Sequence, residues 1–247
     1  LSTTLHLLKQ GEARYIGEVR EVGGQYVYEL EVKWVEAECY ADNYFNVSTN
    51  LGHRFYESLQ LALEDIADPE NLTYESRVAN IVLLDKVTEE GATTKYHYIQ
   101  NTVDIGNRQI VLSIYQKSTK NIVLRRQTTA TAIVVGEGGM FAIRNTSDIL
   151  MFGIDGEGKP ADVFAKVVGG TFEVSGRTEI SNFYNNVTSK GSFVWAIGSN
   201  VTISGARVSN NRIEGSNNSL YGGVLCAEQG SVVNLSNGVF IDNSVTG

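Results

Sequence analysis

The sequence predicts an all-β protein whose main part is a right-handed parallel β-helix, a solenoid over residues 46–247, with one short capping helix at its N-terminal end. A β-hairpin segment over residues 1–45 precedes it. Two observations lead to this prediction. Two short motifs recur in a fixed order through residues 138–243, and the segments between them alternate apolar and polar side chains with the period of a strand. The 25 glycines and only 2 prolines suit a turn-rich β array.

Four copies of the two motifs define the repeat. The first motif is Gly-Gly-x-apolar, with copies that begin at Gly138, Gly169, Lys190 and Gly222. The second is apolar-x-x-Asn, with copies that begin at Phe152, Phe183, Val208 and Phe240, the first ending in Asp instead of Asn. The second motif follows the first at one constant offset in the first two copies and at a longer constant offset in the last two. Such a register indicates stacked coils, because a copy this short cannot bury its own apolar face.

Equivalent residues of successive coils are expected to form columns, about 4.8 Å apart along the axis. The predicted inward columns are Phe141, Phe172, Phe193 and Leu225; Phe152, Phe183, Val208 and Phe240; and Ile149, Ile180, Ile203 and Leu235. A fourth column, at a corner, consists of Asp155, Asn186, Asn211 and Asn243. Asparagine tolerates a left-handed backbone at a corner, and its amide can bond to the coils on either side.

The pairing of these motifs resembles the repeats of the chlamydial polymorphic membrane proteins, which are autotransported β-helical surface adhesins. The resemblance covers residues 138–243, and the copy formed by 222–225 and 240–243 fits both motifs. It implies a β-helix fold, an extracellular location at the cell surface, and an adhesive role for this chain.

The region before the array predicts a hairpin and a helix. Residues 14–36 predict the hairpin, with a turn at 23–24 and an aromatic stripe that includes Tyr26 and Trp34. The stripe is expected to pack, and binding of sugar rings is the alternative. Residues 53–67 predict the helix, capped by Thr49 or Asn50 and followed by Pro69. Its apolar stripe is expected to cover the first layer of the solenoid core and contains Phe55, Leu59, Leu63 and Ile66.

Less regular coils are predicted between residues 78 and 135. Four short β-rich runs, at 81–84, 110–112, 122–124 and 133–135, are separated by polar turns. They predict two or three coils ahead of the regular array.

Composition limits the kinds of partner and the cellular location that the chain can have. A net charge of −8 opposes nucleic acid or an anionic membrane as the main partner. No apolar run approaches the ~20 residues that cross a bilayer, so no membrane insertion by this segment is expected. The chain lacks an initial Met and a signal-peptide pattern, and it is interpreted as a mature or excised piece of a longer protein. Cys39 and Cys226 are expected to be buried and unpaired, because a disulfide framework or metal site would need more partners.

The candidate catalytic groups do not combine into a set. Enzymes on β-helices use clustered acids, or acids on Ca²⁺ with a basic residue, and the acids of residues 167–247 do not recur at a spacing that would gather them. The three histidines, His6, His53 and His97, all precede the array. No cofactor, metal or catalytic residue is therefore predicted, and the chain is interpreted as non-catalytic.

The spacing between copies predicts two contact loops, at 156–168 and 212–221. Insertions in a solenoid collect on one edge, which is often the binding face, although tolerated variation is the alternative. The candidate binding residues are Lys159, Asp162, Arg212, Asn217, Asn218 and Tyr221.

Seven Asn-x-Ser/Thr sequons are acceptors for N-glycosylation if the chain is secreted by a eukaryote. They are Asn46, Asn71, Asn145, Asn186, Asn200, Asn217 and Asn234. The alternative is composition, since Asn, Ser and Thr are frequent in β-helix turns.

The leading functional prediction is a non-catalytic extracellular surface module, adhesin-like, that binds a glycan or a surface protein through its loop edge. The first alternative is a structural subunit that assembles end to end into an extracellular filament or sheath. The second is a polysaccharide lyase-like enzyme.

Overall fold

The computed structural model describes residues 10–15, 20–22, 25–27, 30–35, 37–42, 53–71, 74, 77–86, 91–215 and 220–247. Over these residues the chain is mostly β and forms a parallel β-solenoid of about five turns, as predicted. Among them, no helix is long and apolar enough to cross a bilayer.

The N-terminal segment contains the predicted antiparallel pairing. Its strands are β1 (Gln10–Tyr15), β2 (Arg20–Val22), β3 (Gln25–Val27) and β4 (Leu30–Val35). Strand β1 pairs with β4 and β2 with β3, and Val22 lies opposite Gln25, as expected for a turn at 23–24. The side chains of the aromatic stripe lie outside the described residues.

A helix and two antiparallel strands cover the first coil. Strands β5 (Cys39–Asp42) and β6 (His53–Tyr56) precede helix α1 (Leu59–Ala67). The side chain of Ser58 accepts the N–H of Leu61 at 3.3 Å and caps the helix. Leu59, Leu63 and Ile66 are fully buried, which confirms the predicted inner face.

The predicted start of the helix is wrong. Residues 53–56, including Phe55, form strand β6, because they pair with β5 and so extend the sheet instead of the helix. The proposed caps at 49 and 50 lie outside the described residues.

The solenoid strands follow in chain order. The first two coils contain β7 (Val78–Leu83), β8 (Thr94–Ile99), β9 (Val103–Asp104), β10 (Gln109–Ile114), β11 (Asn121–Arg126) and β12 (Ile133–Val135). The next two contain β13 (Met140–Asn145), β14 (Phe152–Asp155), β15 (Pro160–Ala161), β16 (Ala165–Val168), β17 (Thr171–Ser181), β18 (Tyr184–Asn185) and β19 (Val194–Ile197). The last strands are β20 (Asn200–Ser209), β21 (Arg212–Glu214), β22 (Leu225–Glu228), β23 (Val232–Ser236), β24 (Val239–Ile241) and β25 (Ser244–Thr246).

The register of the first face shows that the coils have a nearly constant length. Val78 pairs with Gln109, Gln109 with Met140 and Met140 with Thr171, so the first three coils advance along the chain by the same step. Thr171 pairs with Asn200 by a slightly shorter step, and Asn200 with Val232 by a slightly longer one. The runs between 78 and 135 are therefore strands of true coils, as predicted, and keep the same register as the later ones.

Parallel ladders form the faces of the solenoid. One face contains β7, β10 and β13, and a second contains β8, β11 and β14. Strands β17 and β20 run through both faces. The third face contains β9, β12, β16, β19 and β22, and a short corner ladder contains β15, β18, β21 and β25.

The corner between the first two faces requires glycine. Gly176 has φ +84° and interrupts the register of β17 against β20. A Cβ at Gly176 would overlap the carbonyl oxygen of Asn145 in the preceding coil. The chain can turn this tightly there only because glycine has neither the Cβ nor the steric restriction on φ.

The first predicted column is half correct. Phe141 and Phe172 are paired in register, fully buried and stacked at 6.1 Å between ring centroids. Val201, not Phe193, continues the column from Phe172. Phe193 is buried on the third face, beside Phe172, and Leu225 pairs with Val194. The Gly-Gly motifs at 190 and 222 thus lie at a different corner from those at 138 and 169, which explains why the last two copies have a longer offset between their motifs.

The second and third columns contain one pair each that is in the predicted register. Val208 pairs with Phe240, and Ile203 with Leu235; Val208 and Ile203 are buried as predicted, whereas Phe240 and Leu235 are exposed. The other assignments are wrong: Phe152 pairs with Thr178, Phe183 lies in the corner column, Ile180 pairs with Val208, and Ile149 is 81% exposed.

The corner column is an amide ladder, although two predicted members do not belong to it. The side-chain amide of Asn211 donates to the Oδ1 of Asn243 at 2.9 Å, while its own Oδ1 accepts the N–H of Phe183 at 3.0 Å. Asp155 pairs instead with Ser181, and Asn186 is exposed. At this corner the left-handed backbone belongs to the residues just before the column, namely Asn182, Asn210 and Asp242.

Both cysteines are buried and unpaired, as predicted. Burial raises the pKa of the Cys39 thiol well above its ordinary value, and burial likewise raises the pKa of Cys226. Both therefore remain neutral thiols.

Candidate loop-edge binding site

An open cleft of about 450 Å³ lies where the turns of the fourth and fifth coils leave the corner ladder. This volume is within the ~300–1,000 Å³ range of small-molecule sites. Its walls are the turn at 186–190 and the residues on either side of the 216–219 segment, and its floor includes an aromatic side chain of the third face. The lining residues are Asn186, Val187, Thr188, Ser189, Lys190, Trp195, Glu214, Gly215 and Leu220.

A buried amide holds the 186–190 turn. Asn185 is fully buried, and its Oδ1 accepts the N–H groups of Val187 and Thr188, both at 3.0 Å. Its Nδ2 donates to the hydroxyl of Thr188 at 2.9 Å and to the carbonyl oxygen of Gly191 at 2.6 Å. All hydrogen-bonding capacity of this side chain is used within the turn, so the cleft wall is organised before any ligand arrives.

Trp195 points outward from strand β19, between the buried residues Val194 and Ala196. Its indole N–H donates to the Oε2 of Glu228 at 3.0 Å, and the Nζ of Lys166 lies 4.7 Å from the ring centroid. The polar group of the indole is therefore satisfied by the protein. Its half-buried ring carbons form the apolar part of the cleft.

Lys190 forms an ion pair with Glu228, and the Nζ also lies 4.2 Å from the ring centroid of Tyr221. The hydrogen bond between Lys190 and Glu228 raises the pKa of the lysine and lowers that of the glutamate. At neutral pH both are charged and neutralise each other.

The predicted residues Lys159 and Asp162 lie at the corner ladder, outside the cleft. Lys159 is exposed and pairs with Glu157 at 2.8 Å. Asp162 accepts the hydroxyls of Thr131 at 2.9 Å and of Thr188 at 3.0 Å. Asp162 thus fixes the cleft turn from behind, through Thr188, instead of facing a ligand.

Arg212 and Tyr221 lie outside the cleft, Tyr221 in contact with a lining residue and Arg212 in contact with Tyr184, which is bonded to one. The guanidinium of Arg212 lies 3.9 Å from the ring centroid of Tyr184, whose pKa is raised by a hydrogen bond to Glu214. Tyr221 is 51% exposed and contacts Lys190. Asn217 and Asn218 lie outside the described residues.

The two predicted contact loops are shorter than expected. Much of 156–168 is core: β15 and β16 lie within it, and Val163 and Phe164 are fully buried. The start of 212–221 is strand β21, in which Ile213 is fully buried. Among the described residues, the loop edge is consequently centred on 186–190, 214–215 and 220–221.

The sequons differ in how far the fold uses their amide nitrogens. Asn145 is buried and donates to the carbonyl oxygens of Leu150 and Arg177 at 2.8 and 2.7 Å. Asn71 donates to the backbone and side chain of Asp65. The remaining described sequons, at Asn186, Asn200 and Asn234, are exposed. Asn46 and Asn217 lie outside the described residues.

Most of the cleft is not predicted by the sequence. The turn at 186–190 lies where two motifs follow each other closely, and so it does not stand out as an insertion. One usable signal is present, because the alternation in 194–197 places Trp195 on the outer side of its strand. Glu228 cannot be linked to Lys190 without the register of β19 and β22.

The fold and the site define a parallel β-solenoid with an aromatic and polar cleft at its loop edge. In comparisons with known proteins, no family model, no curated protein and no solved structure matches the chain. Within the described part of the chain, no group of three or more His, Cys, Asp or Glu side chains is placed to hold a metal ion.

Proposed function

We propose that this chain is a non-catalytic, extracellular, adhesin-like β-solenoid module that binds a glycan or surface protein through its loop edge. The observation that carries the proposal is the cleft over Trp195, in which an outward aromatic ring meets amide, hydroxyl and carboxylate groups. Concave sites of mixed aromatic and polar lining are typical of specific ligand binding. The resemblance of the repeats to those of surface adhesins supports the same role.

The rigid construction of the edge also supports binding. Parallel ladders on the third face and the corner hold the cleft residues, and Asn185 and Asp162 fix the turn that forms one wall. A prebuilt surface loses little conformational entropy when it takes a ligand, which favours binding by rigid docking.

The test is a binding screen of the purified chain against a glycan array and against extracellular proteins from candidate hosts. The Trp195→Ala variant is screened in parallel, with Tyr98→Ala on the second face as the control. Binding that Trp195→Ala abolishes and Tyr98→Ala preserves is the expected result. No binding to either collection contradicts the proposal.

A further inference from the structure

The charge balance of the cleft indicates which class of ligand it takes, an inference that rests on the proposed function. Among its described lining residues the only cation is Lys190, which Glu228 already neutralises. The other charged lining residue is Glu214, an exposed carboxylate that accepts the hydroxyl of Tyr184. A second cation lies beside the cleft, because the Nζ of Lys166 is 4.7 Å from the ring centroid of Trp195. The two lysines are balanced by the carboxylates of Glu228 and Glu214, so a carboxylate or sulfate entering the cleft would meet no net positive charge.

The neutral groups of the cleft match the hydroxyls of a sugar. Asn186 and Ser189 supply an amide and a hydroxyl on one wall, and Glu214 supplies acceptor oxygens on the other. The Thr188 hydroxyl is already bonded to Asn185 and Asp162. Asn186, Ser189 and Glu214 can each exchange hydrogen bonds with the alternating hydroxyl groups of a pyranose without needing a charge on the ligand.

The floor of the cleft matches the apolar face of the same ring. The N–H of Trp195 is used by Glu228, so the part of the indole that lines the cleft is hydrocarbon. The C–H groups on one face of a pyranose can pack on such a surface, while its hydroxyls point to the walls.

We propose that the Trp195 cleft binds an uncharged pyranose residue of a glycan, with the sugar ring packed on the indole and its hydroxyls bonded to Glu214 and to the 186–190 turn. Selectivity against acidic sugars comes from Glu228, which neutralises Lys190, and from Glu214, which offsets the charge of Lys166, so that a uronic acid or sulfated sugar gains no net attraction.

The experiment measures the affinity of the full chain for neutral trisaccharides (cellotriose, maltotriose, chitotriose and a galactotriose) and for trigalacturonate, by titration calorimetry. The expected result is binding of at least one neutral trisaccharide, and binding of trigalacturonate that is at least tenfold weaker. Trp195→Ala should lower the affinity for the neutral trisaccharide by about tenfold or more, which corresponds to ~1.4 kcal/mol. Trp195→Phe should restore part of this loss, and Tyr98→Ala should cause none.

A second variant tests the charge argument directly. Glu228→Gln keeps an acceptor for the indole N–H but leaves Lys190 unpaired, so trigalacturonate binding should strengthen by severalfold while neutral binding changes little. Thermal unfolding of each variant, close to that of the parent chain, verifies that the fold is retained.

The outcomes separate this inference from the proposed function. Preference of the parent chain for trigalacturonate at the Trp195 cleft would overturn the inference and leave the adhesive role standing. Neutral-sugar binding that Trp195→Ala does not affect would overturn the site alone. Absence of binding to all the trisaccharides would overturn the inference, and only failure of the wider glycan and protein screen would remove the proposed function as well.

Discussion

Replacement of Phe172 by alanine should cause one of the largest losses of stability available from a single core position. Phe172 is fully buried, stacked on Phe141 at 6.1 Å and packed edge-on against Phe193 at 5.6 Å between ring centroids. Truncation of a buried Phe to Ala costs ~3–5 kcal/mol, a range that includes the cavity left behind. Two aromatic contacts, each worth ~0.5–1.5 kcal/mol, place Phe172 in the upper part of this range, at about 4 kcal/mol.

Urea unfolding followed by far-UV circular dichroism measures the change in the free energy of unfolding. The matched control is Ile149→Ala, since Ile149 is 81% exposed and its truncation should change stability by no more than ~0.5 kcal/mol. Phe172→Asp should be more damaging than Phe172→Ala, because it also buries an unpaired charge.

The contact between Phe141 and Phe172 also predicts a measurable coupling energy. Phe141→Ala and Phe172→Ala should couple by ~0.5–3 kcal/mol, because the two rings are in contact. Ile81→Ala and Phe172→Ala should be additive, because Ile81 lies three coils away from Phe172. If Phe172→Ala lowers the free energy of unfolding by less than ~1 kcal/mol, or if both pairs show equal coupling, the assignment of Phe141 and Phe172 to one buried column is refuted.

Three further predictions concern a buried histidine, the corner ladder and the bend. Burial lowers the pKa of His97 to about 4, below its ordinary value of about 6.5, so stability should fall as pH drops from 6.5 to 4. Urea unfolding at pH 7.5 and 4.5 should show this loss, about 2–3 kcal/mol, and His97→Leu should remove that part of the pH dependence. Asn211→Ala removes the hydrogen-bond partners of buried backbone groups and should lower the free energy of unfolding, measured in urea, by ~2–3 kcal/mol. The control, Asn186→Ala, lies at an exposed site and should change this free energy by less than ~0.5 kcal/mol. Gly176→Ala should lower the thermal unfolding midpoint more than Gly91→Ala does. Both glycines have positive φ, but only a Cβ at Gly176 would overlap the backbone of the neighbouring coil. Equal decreases in the midpoint would contradict this overlap.

The adhesive function, the extracellular location and the lineage suggested by the repeats remain predictions. The structure supports the fold on which they depend and supplies a cleft on which the first can be tested. Sequons at Asn145 and Asn71 are committed to hydrogen bonds within the fold, so glycosylation is more readily accommodated at the exposed Asn186, Asn200 and Asn234. A glycan on Asn186 would also obstruct the cleft, because this residue lines it.

The solenoid could be predicted from the sequence, because period-two alternation and recurrent glycine and asparagine are local consequences of a stack of short strands. The sequence also predicted the inner face of the helix through Leu59, Leu63 and Ile66, and the pairs Phe141–Phe172 and Asn211–Asn243. These features are visible because equivalent residues repeat at nearly constant intervals along the chain.

The copies of a motif that share a column could be identified only from the backbone register between neighbouring coils. Gly-Gly turns serve two different corners, so the similarity of sequence assigned Phe193 to the column of Phe141 and Phe172, whereas Val201 continues that column and Phe193 packs beside Phe172 from the third face. The cleft was beyond the sequence for the same reason. Lys190, Trp195 and Glu228 meet through pairing between neighbouring coils, and a contact between residues so far apart in the chain follows from register, which local pattern does not specify.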